Sequence, residues 1–435
     1  MDRRSGLCDG RFGAAEATLM ARFRRRKGDE APAEREIQHD FLSSVREGFA
    51  GLAQRAIGPD PAKPAFIVLC STLALFGFGF LLQASHAATT ASYEGYQAEL
   101  IEQARFRSAA LICLLMGARL GPQGLRRLVP HVFVVSVALL IAVWIPGLAK
   151  PENGAHRWVK IMGFSVQPSE IVRISLILWT ADRCARLGDR LMDSWKTILP
   201  VFLTGLLTCL LVFFEPDLGG SFILMMCFFL TLFVGGAPAK KTIYPFAILF
   251  ASGIFLAVST QQYVRDRIAI LFGSGGNEQV RDAAQAMWSG GIFGQGLGQG
   301  LSRRSNLLYQ DSDFVFSLIG EELGAVGMII VIGLFVSIAW FGLKMVLAIP
   351  DRFRAITSFG LLLSVLLPAL IHMMVAVGLS PPKGMTLPFI SDGGTSLIMS
   401  SLACGLALGA ARSFQRNGTS EKASQPTEPN LSISR

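Results

Sequence analysis

About ten apolar runs alternate with polar connectors between Pro64 and Ala411. They are Phe66–Leu82, Arg107–Leu120, Leu128–Leu148, Ile171–Arg186, Ile198–Phe214, Gly219–Gly236, Pro245–Thr260, Phe314–Met345, Ala355–Val377 and Gly394–Ala411. A helix needs roughly 20 apolar residues to cross the hydrocarbon core of a bilayer. The pattern therefore predicts an all-α, polytopic membrane protein with about ten transmembrane helices. The runs Arg107–Leu120 and Ile171–Arg186 are short, so those helices are expected to tilt or to begin in their flanking loops.

Composition agrees. Hydrophobic residues make up 51% of the 435-residue chain and charged residues 16%, against roughly 25% charged in soluble domains. No single soluble core could hide so much apolar surface. Residues 1–63 carry both signs of charge and are nearly all basic from Arg22 to Lys27. They read as a largely disordered cytoplasmic tail, with an amphipathic helix near Phe41–Ile57. The tail is polar up to Pro64, so no cleavable signal peptide is expected. Residues 64–412 form the expected membrane domain. Residues 413–435, rich in Ser, Pro and Glu from Asn417, read as a disordered cytoplasmic C-terminal tail.

Charge sets the orientation. Arg119, Arg126 and Arg127 follow the second run, and Arg183, Arg186, Arg190 and Lys196 follow the fourth. Lys240 and Lys241 follow the sixth, Lys344, Arg352 and Arg354 the eighth, and Arg412 and Arg416 the tenth. These are alternate connectors, so the positive-inside bias makes them cytoplasmic, along with both termini. The net charge of +9 is then a membrane-orientation signal, and no compact basic domain stands apart to bind nucleic acid. The remaining connectors face outward: Asn153–Glu170, Glu215–Gly219, Gln261–Asp313 and Ser380–Thr395. They hold the Pro/Gly-rich and polar segments, which places every unusual loop on one side. The outer loop at 261–312 is too long for a mere connector. With Trp288, Ile292, Phe293 and Leu297 set among glycines, it is expected to pack on the membrane face.

Candidate chemistry lies in those loops. Asp313 precedes the eighth run, and Asp313, Ser317, Glu321 and Gly324 share a helical face by spacing. Acids at that depth, Glu321 and Glu322, normally line a cavity or pair with a base; Asp313 reads equally as a helix N-cap. Arg267, Lys383 and Arg157 are cations in outward loops, against the charge bias, and suit a phosphate-bearing ligand. Lipid headgroup contact or an ion pair explains them as well. Ser391-Asp392-Gly393-Gly394 leads into the last run and exposes backbone N–H groups fit for an anion, or makes a tight turn needing glycine. Asp217 favours capping. Ser169 and Glu170, after Gln167-Pro168, suit a helix N-terminus. The seven cysteines are scattered with no C-x-x-C pair, and they read as small buried hydrophobes. His86, His131, His156 and His372 show no metal-ligand spacing, so no protein-held metal is assigned.

The motifs together resemble a known family. They are Asn153-Gly154-Ala155-His156-Arg157-Trp158, Gln167-Pro168-Ser169-Glu170, Pro216-Asp217-Leu218-Gly219, Gly294-Gln295-Gly296-Leu297-Gly298, Asp313-Phe314 with Gly320-Glu321-Glu322-Leu323-Gly324, and Lys383-Gly384-Met385-Thr386-Leu387-Pro388-Phe389-Ile390-Ser391. In this order they resemble the SEDS family (shape, elongation, division and sporulation), which includes FtsW and RodA, over Pro64 to Arg412. The resemblance implies a ten-helix glycosyltransferase of the inner membrane that polymerises lipid II on the outer face. It implies a class B penicillin-binding protein and other divisome membrane proteins as partners, and Asp313 as the essential aspartate. The long N-terminal tail and the Lys383–Pro388 run lean toward FtsW and the division septum. No cofactor is certain; a divalent cation such as Mg²⁺ is one candidate. The chain departs from the family pattern at Asp311-Ser312, Arg173, His372, Ala376, Pro382 and Asp392, and Asp392 adds negative charge beside an anion site. Three alternatives stay open on sequence alone: a lipid II flippase, a weakly active or non-catalytic divisome scaffold, and a RodA-type elongation polymerase.

Overall fold

Each of the ten apolar runs coincides with a helix. A computed structural model describes residues 60–423 apart from short stretches at 91–92, 146–148, 153–154, 162–163, 194, 216, 261–264, 266–277, 301–313 and 381–384. The chain divides at Pro59, and the N-terminal tail with its expected amphipathic helix lies outside the described residues. The helices are α1 (Ala62–Thr90), α2 (Tyr93–Leu125), α3 (Val129–Ala142), α4 (Pro168–Leu187), a short α5 (Arg190–Asp193), α6 (Trp195–Phe214), α7 (Leu218–Val234), α8 (Ala239–Thr260), α9 (Glu278–Ser289), α10 (Val315–Ala348), α11 (Arg352–Ala376) and α12 (Gly394–Ala423). Among the described residues six of them are long and apolar enough to cross a membrane, and α3 and α7 are shorter apolar helices. This is a multi-pass membrane protein.

Several boundaries differ from the hydropathy pattern, each for a local reason. Helix α2 starts at Tyr93, well before Arg107, because Glu99, Glu102 and Arg105 favour a helix without being apolar. Helix α3 ends at Ala142, and the chain turns over Val143–Ile145 ahead of Pro146, where a proline steers its predecessor away from helical geometry. Helix α12 runs past the expected boundary at 412 to Ala423. Between α3 and α4, where the sequence suggested only a loop, lies a three-stranded antiparallel sheet: β1 (Ala149–Glu152), β2 (Ala155–Ile161) and β3 (Phe164–Val166), in the order β1-β2-β3. Ala149 pairs with Val159 and Lys150 with Trp158; the register then shifts at Pro151, which has no N–H to give the ladder.

The tightest seam in the bundle joins α2 to α12. Gly117 and Gly121 on α2 are spaced by four, as are Gly405 and Gly409 on α12. A Cβ on Gly405 would sit 2.2 Å from the Leu114 carbonyl oxygen, and one on Gly409 would sit 2.7 Å from the Gly121 Cα. In lipid no hydrophobic force pulls helices together, so close backbone approach at small residues replaces it. The prediction is direct. Gly405→Ala destabilises the protein by about 1–3 kcal/mol through overpacking, seen as a lower thermal unfolding midpoint in detergent. Gly77→Ala, with nothing within 4 Å of its would-be Cβ, leaves the midpoint unchanged.

Candidate active site

Helix α10 is broken one turn past its buried acids. At Gly324 the backbone takes φ 65° and ψ −163°, so the helical ladder stops there. Four backbone groups lose their partners in the helix, and the turn after α9 supplies new ones. Gln295 N–H donates to Glu321 O at 2.9 Å, and Gly296 N–H to Glu322 O at 3.0 Å. In return, Ala325 N–H donates to Gly291 O at 3.0 Å and Val326 N–H to Ile292 O at 3.2 Å. Only glycine permits this approach: a Cβ on Gly294 would lie 2.1 Å from Glu322 O, and one on Gly290 would lie 2.0 Å from Gly320 O. The Gly294–Gly298 motif is therefore a backbone splint for the break. It leaves Trp288, Ile292, Phe293 and Leu297 exposed, an apolar surface that suits lipid.

The break buries Glu321 and Glu322 at 1% and 0% exposure, beside buried Ser317. The chain returns over Glu321: a Cβ on Gly300 would lie 2.9 Å from a Glu321 carboxylate oxygen. The predicted shared face of Ser317, Glu321 and Gly324 is a buried face, though Gly324 ends it as the kink. Helix α10 begins at Val315 with Phe314 at the N-cap and no side-chain capping bond. Asp313, one residue earlier, lies outside the described residues.

A second irregular segment, Met385–Gly393, packs into the bundle between α11 and α12. Leu387, Phe389, Ile390 and Ser391 are all buried. Ser391 Oγ accepts from Leu387 N–H at 2.8 Å, and Ser391 N–H donates to Leu387 O at 3.0 Å, closing a tight turn. Phe389 takes φ 69°, a strained value for an aromatic residue. Arg107 on α2 holds that turn. Its guanidinium donates to Phe389 O at 3.2 Å, Ile390 O at 3.2 Å and Phe76 O at 3.3 Å. Gly79 on α1 makes room, since a Cβ there would lie 2.6 Å from the Ile390 Cα. His372 on α11 places Nδ1 2.7 Å from Met385 O. Gly393 and Gly394 are packed against Thr386 and Phe106, and Thr386 Oγ1 donates to Ser396 Oγ at 2.9 Å. Asp392 is exposed.

The structure thus gathers Ser391, Gly393 and Gly394 with Arg107, and gathers Glu321 with Glu322 at the break. Asp217 is elsewhere, in the turn between α6 and α7. It caps α7 by accepting from Gly220 N–H at 2.9 Å, and it accepts from Gln167 Nε2 at 3.3 Å. That second bond ties the turn to the start of α4, where Glu170 pairs with Arg173. Arg157 lies on β2. Arg267 and Lys383 lie outside the described residues. Among the described residues no group of three His, Cys, Asp or Glu side chains could hold a metal ion.

Residues 64–416 match the FtsW/RodA/SpoVE family, described as cell cycle proteins. The chain belongs to this family. It is 30% identical over 353 residues to the probable peptidoglycan glycosyltransferase FtsW of Trichlorobacter lovleyi, covering 80% of this chain and 93% of that protein. It is 32% identical to the protein of the same name from Coxiella burnetii, covering 79% and 95%. The fold matches a solved peptidoglycan synthase complex with a TM-score of 0.63 at 23% identity, covering 80% of this chain and 97% of that one. It also matches the rod shape determining protein RodA of Thermus thermophilus, with a TM-score of 0.59 at 23% identity, covering 79% and 95%. The family signatures now have physical roles. The Gly294–Gly298 motif splints α10, and the Met385–Ser391 run is the turn that Arg107 holds.

Arg107 and the Gly324 break were not read from the sequence. Arg107 stands at the edge of an apolar run and looks like a boundary charge; its partners are distant in the chain. Replacing it leaves three carbonyls without their donor. Arg107→Met is expected to cost on the order of 2 kcal/mol or more, measured as thermal unfolding in detergent. Arg107→Lys recovers only part, because an ammonium lacks the planar fork that reaches all three oxygens.

Proposed function

We propose that this chain is a peptidoglycan glycosyltransferase of the FtsW type, polymerising lipid II on the outer face of the inner membrane. The FtsW-named relatives, aligned over most of the chain, support this reading, together with the splinted break in the helix that follows Asp313 in the chain. In this reading the carboxylate of Asp313 takes the proton of the acceptor GlcNAc 4-hydroxyl. The freed oxygen attacks the anomeric carbon of the donor MurNAc, and undecaprenyl diphosphate leaves with inversion at that carbon. The leaving diphosphate gathers charge, which fixed cations and backbone N–H groups stabilise as it departs. Arg267 and Lys383 are the first candidates, with Arg157 and the Ser391–Gly394 turn behind them. Glu321 and Glu322 support the site as buried acids at the helix break, and Asp217 supports it as a cap joining two outer connectors.

The same reading assigns both termini to the cytoplasm, the enzyme to the division septum, and a class B penicillin-binding protein as the partner that crosslinks the new strands. A divalent cation such as Mg²⁺ would assist the leaving diphosphate by charge.

The test is polymerisation of purified lipid II by the full chain with its transpeptidase, with and without Mg²⁺, read as glycan strands on a gel. Asp313→Asn keeps the shape and removes the base, so the rate is expected to fall by about 10²–10⁴-fold. An Asp313→Asn protein as fast as wild type would refute the assignment. Transfer of labelled lipid II across vesicles without polymer would favour a flippase, and a wild-type protein making no strands would favour a scaffold.

A further inference from the structure

At the opposite end of the bundle, on the side of the basic connectors, the structure holds a cavity of about 460 Å³ lined by Gln123, Gly124, Arg126, Arg127 and Arg186. A volume of that size accommodates a small ligand. Three arginines line it, and one carboxylate binds two of them. Asp182 on α4 is fully buried and accepts from Arg126 Nε at 2.9 Å and from Arg186 Nε at 2.7 Å. Each arginine is thus anchored through Nε alone, and neither Nη group of either one has a hydrogen-bond partner among the described residues. Arg126 is fixed further by stacking 4.6 Å over the ring of buried Phe353. Arg127 is exposed and makes no ion pair among the described residues. Arg183, at 4.0 Å from Asp182, adds a fourth positive charge nearby. One carboxylate does not neutralise four guanidinium groups, so the cavity keeps a net positive charge with preset donors.

A solvated face of the positive-inside kind needs none of this. Its arginines extend into water with no buried carboxylate aligning them and no cavity between them. Forked donors around a concave, cationic space match the tetrahedral oxygens of a phosphate group. Basic pockets between helices at the cytoplasmic membrane surface take phospholipid headgroups in the same way.

We propose that this cavity binds a phosphate group, carried by an acidic phospholipid headgroup or free in solution, and that Arg126, Arg127 and Arg186 hold it. The site lies at the far end of the helices from the start of α10 and is independent of the proposed polymerase chemistry.

The test uses the full chain in nanodiscs of phosphatidylcholine, doped or not with cardiolipin. Native mass spectrometry counts the acidic lipid retained after extraction, and thermal unfolding is followed with added inorganic phosphate. Wild type is expected to retain cardiolipin or to be stabilised by phosphate. The first result alone assigns the site to lipid; the second, at millimolar phosphate with no cardiolipin retained, assigns it to the free anion. Arg127→Gln touches no structural ion pair and is expected to weaken binding of the effective probe at least fivefold, with Arg127→Lys keeping most of it. Gly124→Leu, at a position whose would-be Cβ meets only Leu120 at 3.9 Å, narrows the cavity without changing charge and is expected to weaken binding too. Arg119→Gln, also basic but outside the cavity lining, is expected to bind as wild type. Binding unaffected by both Arg127→Gln and Gly124→Leu would overturn the proposal. So would an equal loss in Arg119→Gln, which would mean diffuse surface charge, or the failure of wild type to bind either probe.

Discussion

Every backbone N–H and C=O at membrane depth must find a partner inside the protein, because the hydrocarbon offers none. Regular helices meet that demand by themselves. This chain departs from regular helix at two places beside its candidate site, and each departure is repaired by a different means. At Gly324 the repair is another stretch of backbone, with four bonds exchanged between the turn at residues 291–296 and the broken helix. At Phe389–Ile390 it is one buried guanidinium, from Arg107. Glycine makes both possible. Gly290, Gly294 and Gly79 stand where any side chain would strike backbone.

The repairs tie both irregular segments to neighbouring helices. A helix broken just after Glu321 and Glu322 keeps both acids buried. The second loop brings a serine and two glycines to the start of α12. Gln167 and Asp217 join two further connectors on the same side. Loops on a membrane protein's surface would otherwise wander, and these are tied to helices by hydrogen bonds that lipid makes hard to exchange.

Much of this was legible in the amino-acid order. Hydropathy found each apolar helix, since a span must be apolar over its length. It missed the early start of α2, because Glu99 and Glu102 are good helix formers that carry charge. It missed the small sheet because Ala155–Ile161 is too short and mixed to separate from loop. The motif glycines at 294–298 were visible as a pattern, yet their purpose depends on a helix break nearly thirty residues away in sequence, and Gly324 by itself looks like any transmembrane glycine. Asp217 was readable as a cap, because capping is local and depends on neighbours in the chain. Arg107 was not, because its three acceptors lie on α1 and on the loop before α12. Local chemistry can be read from a sequence; a contact between distant segments has no local signature.

The proposed chemistry requires residue 313 at the outer water boundary. Sidedness tests it most directly. A variant lacking the seven native cysteines and carrying Asp313→Cys would be exposed, in intact spheroplasts, to a thiol reagent that does not cross membranes. Labelling without permeabilisation is the predicted result. Labelling only after the membrane is opened would place residue 313 on the cytoplasmic side and contradict the account.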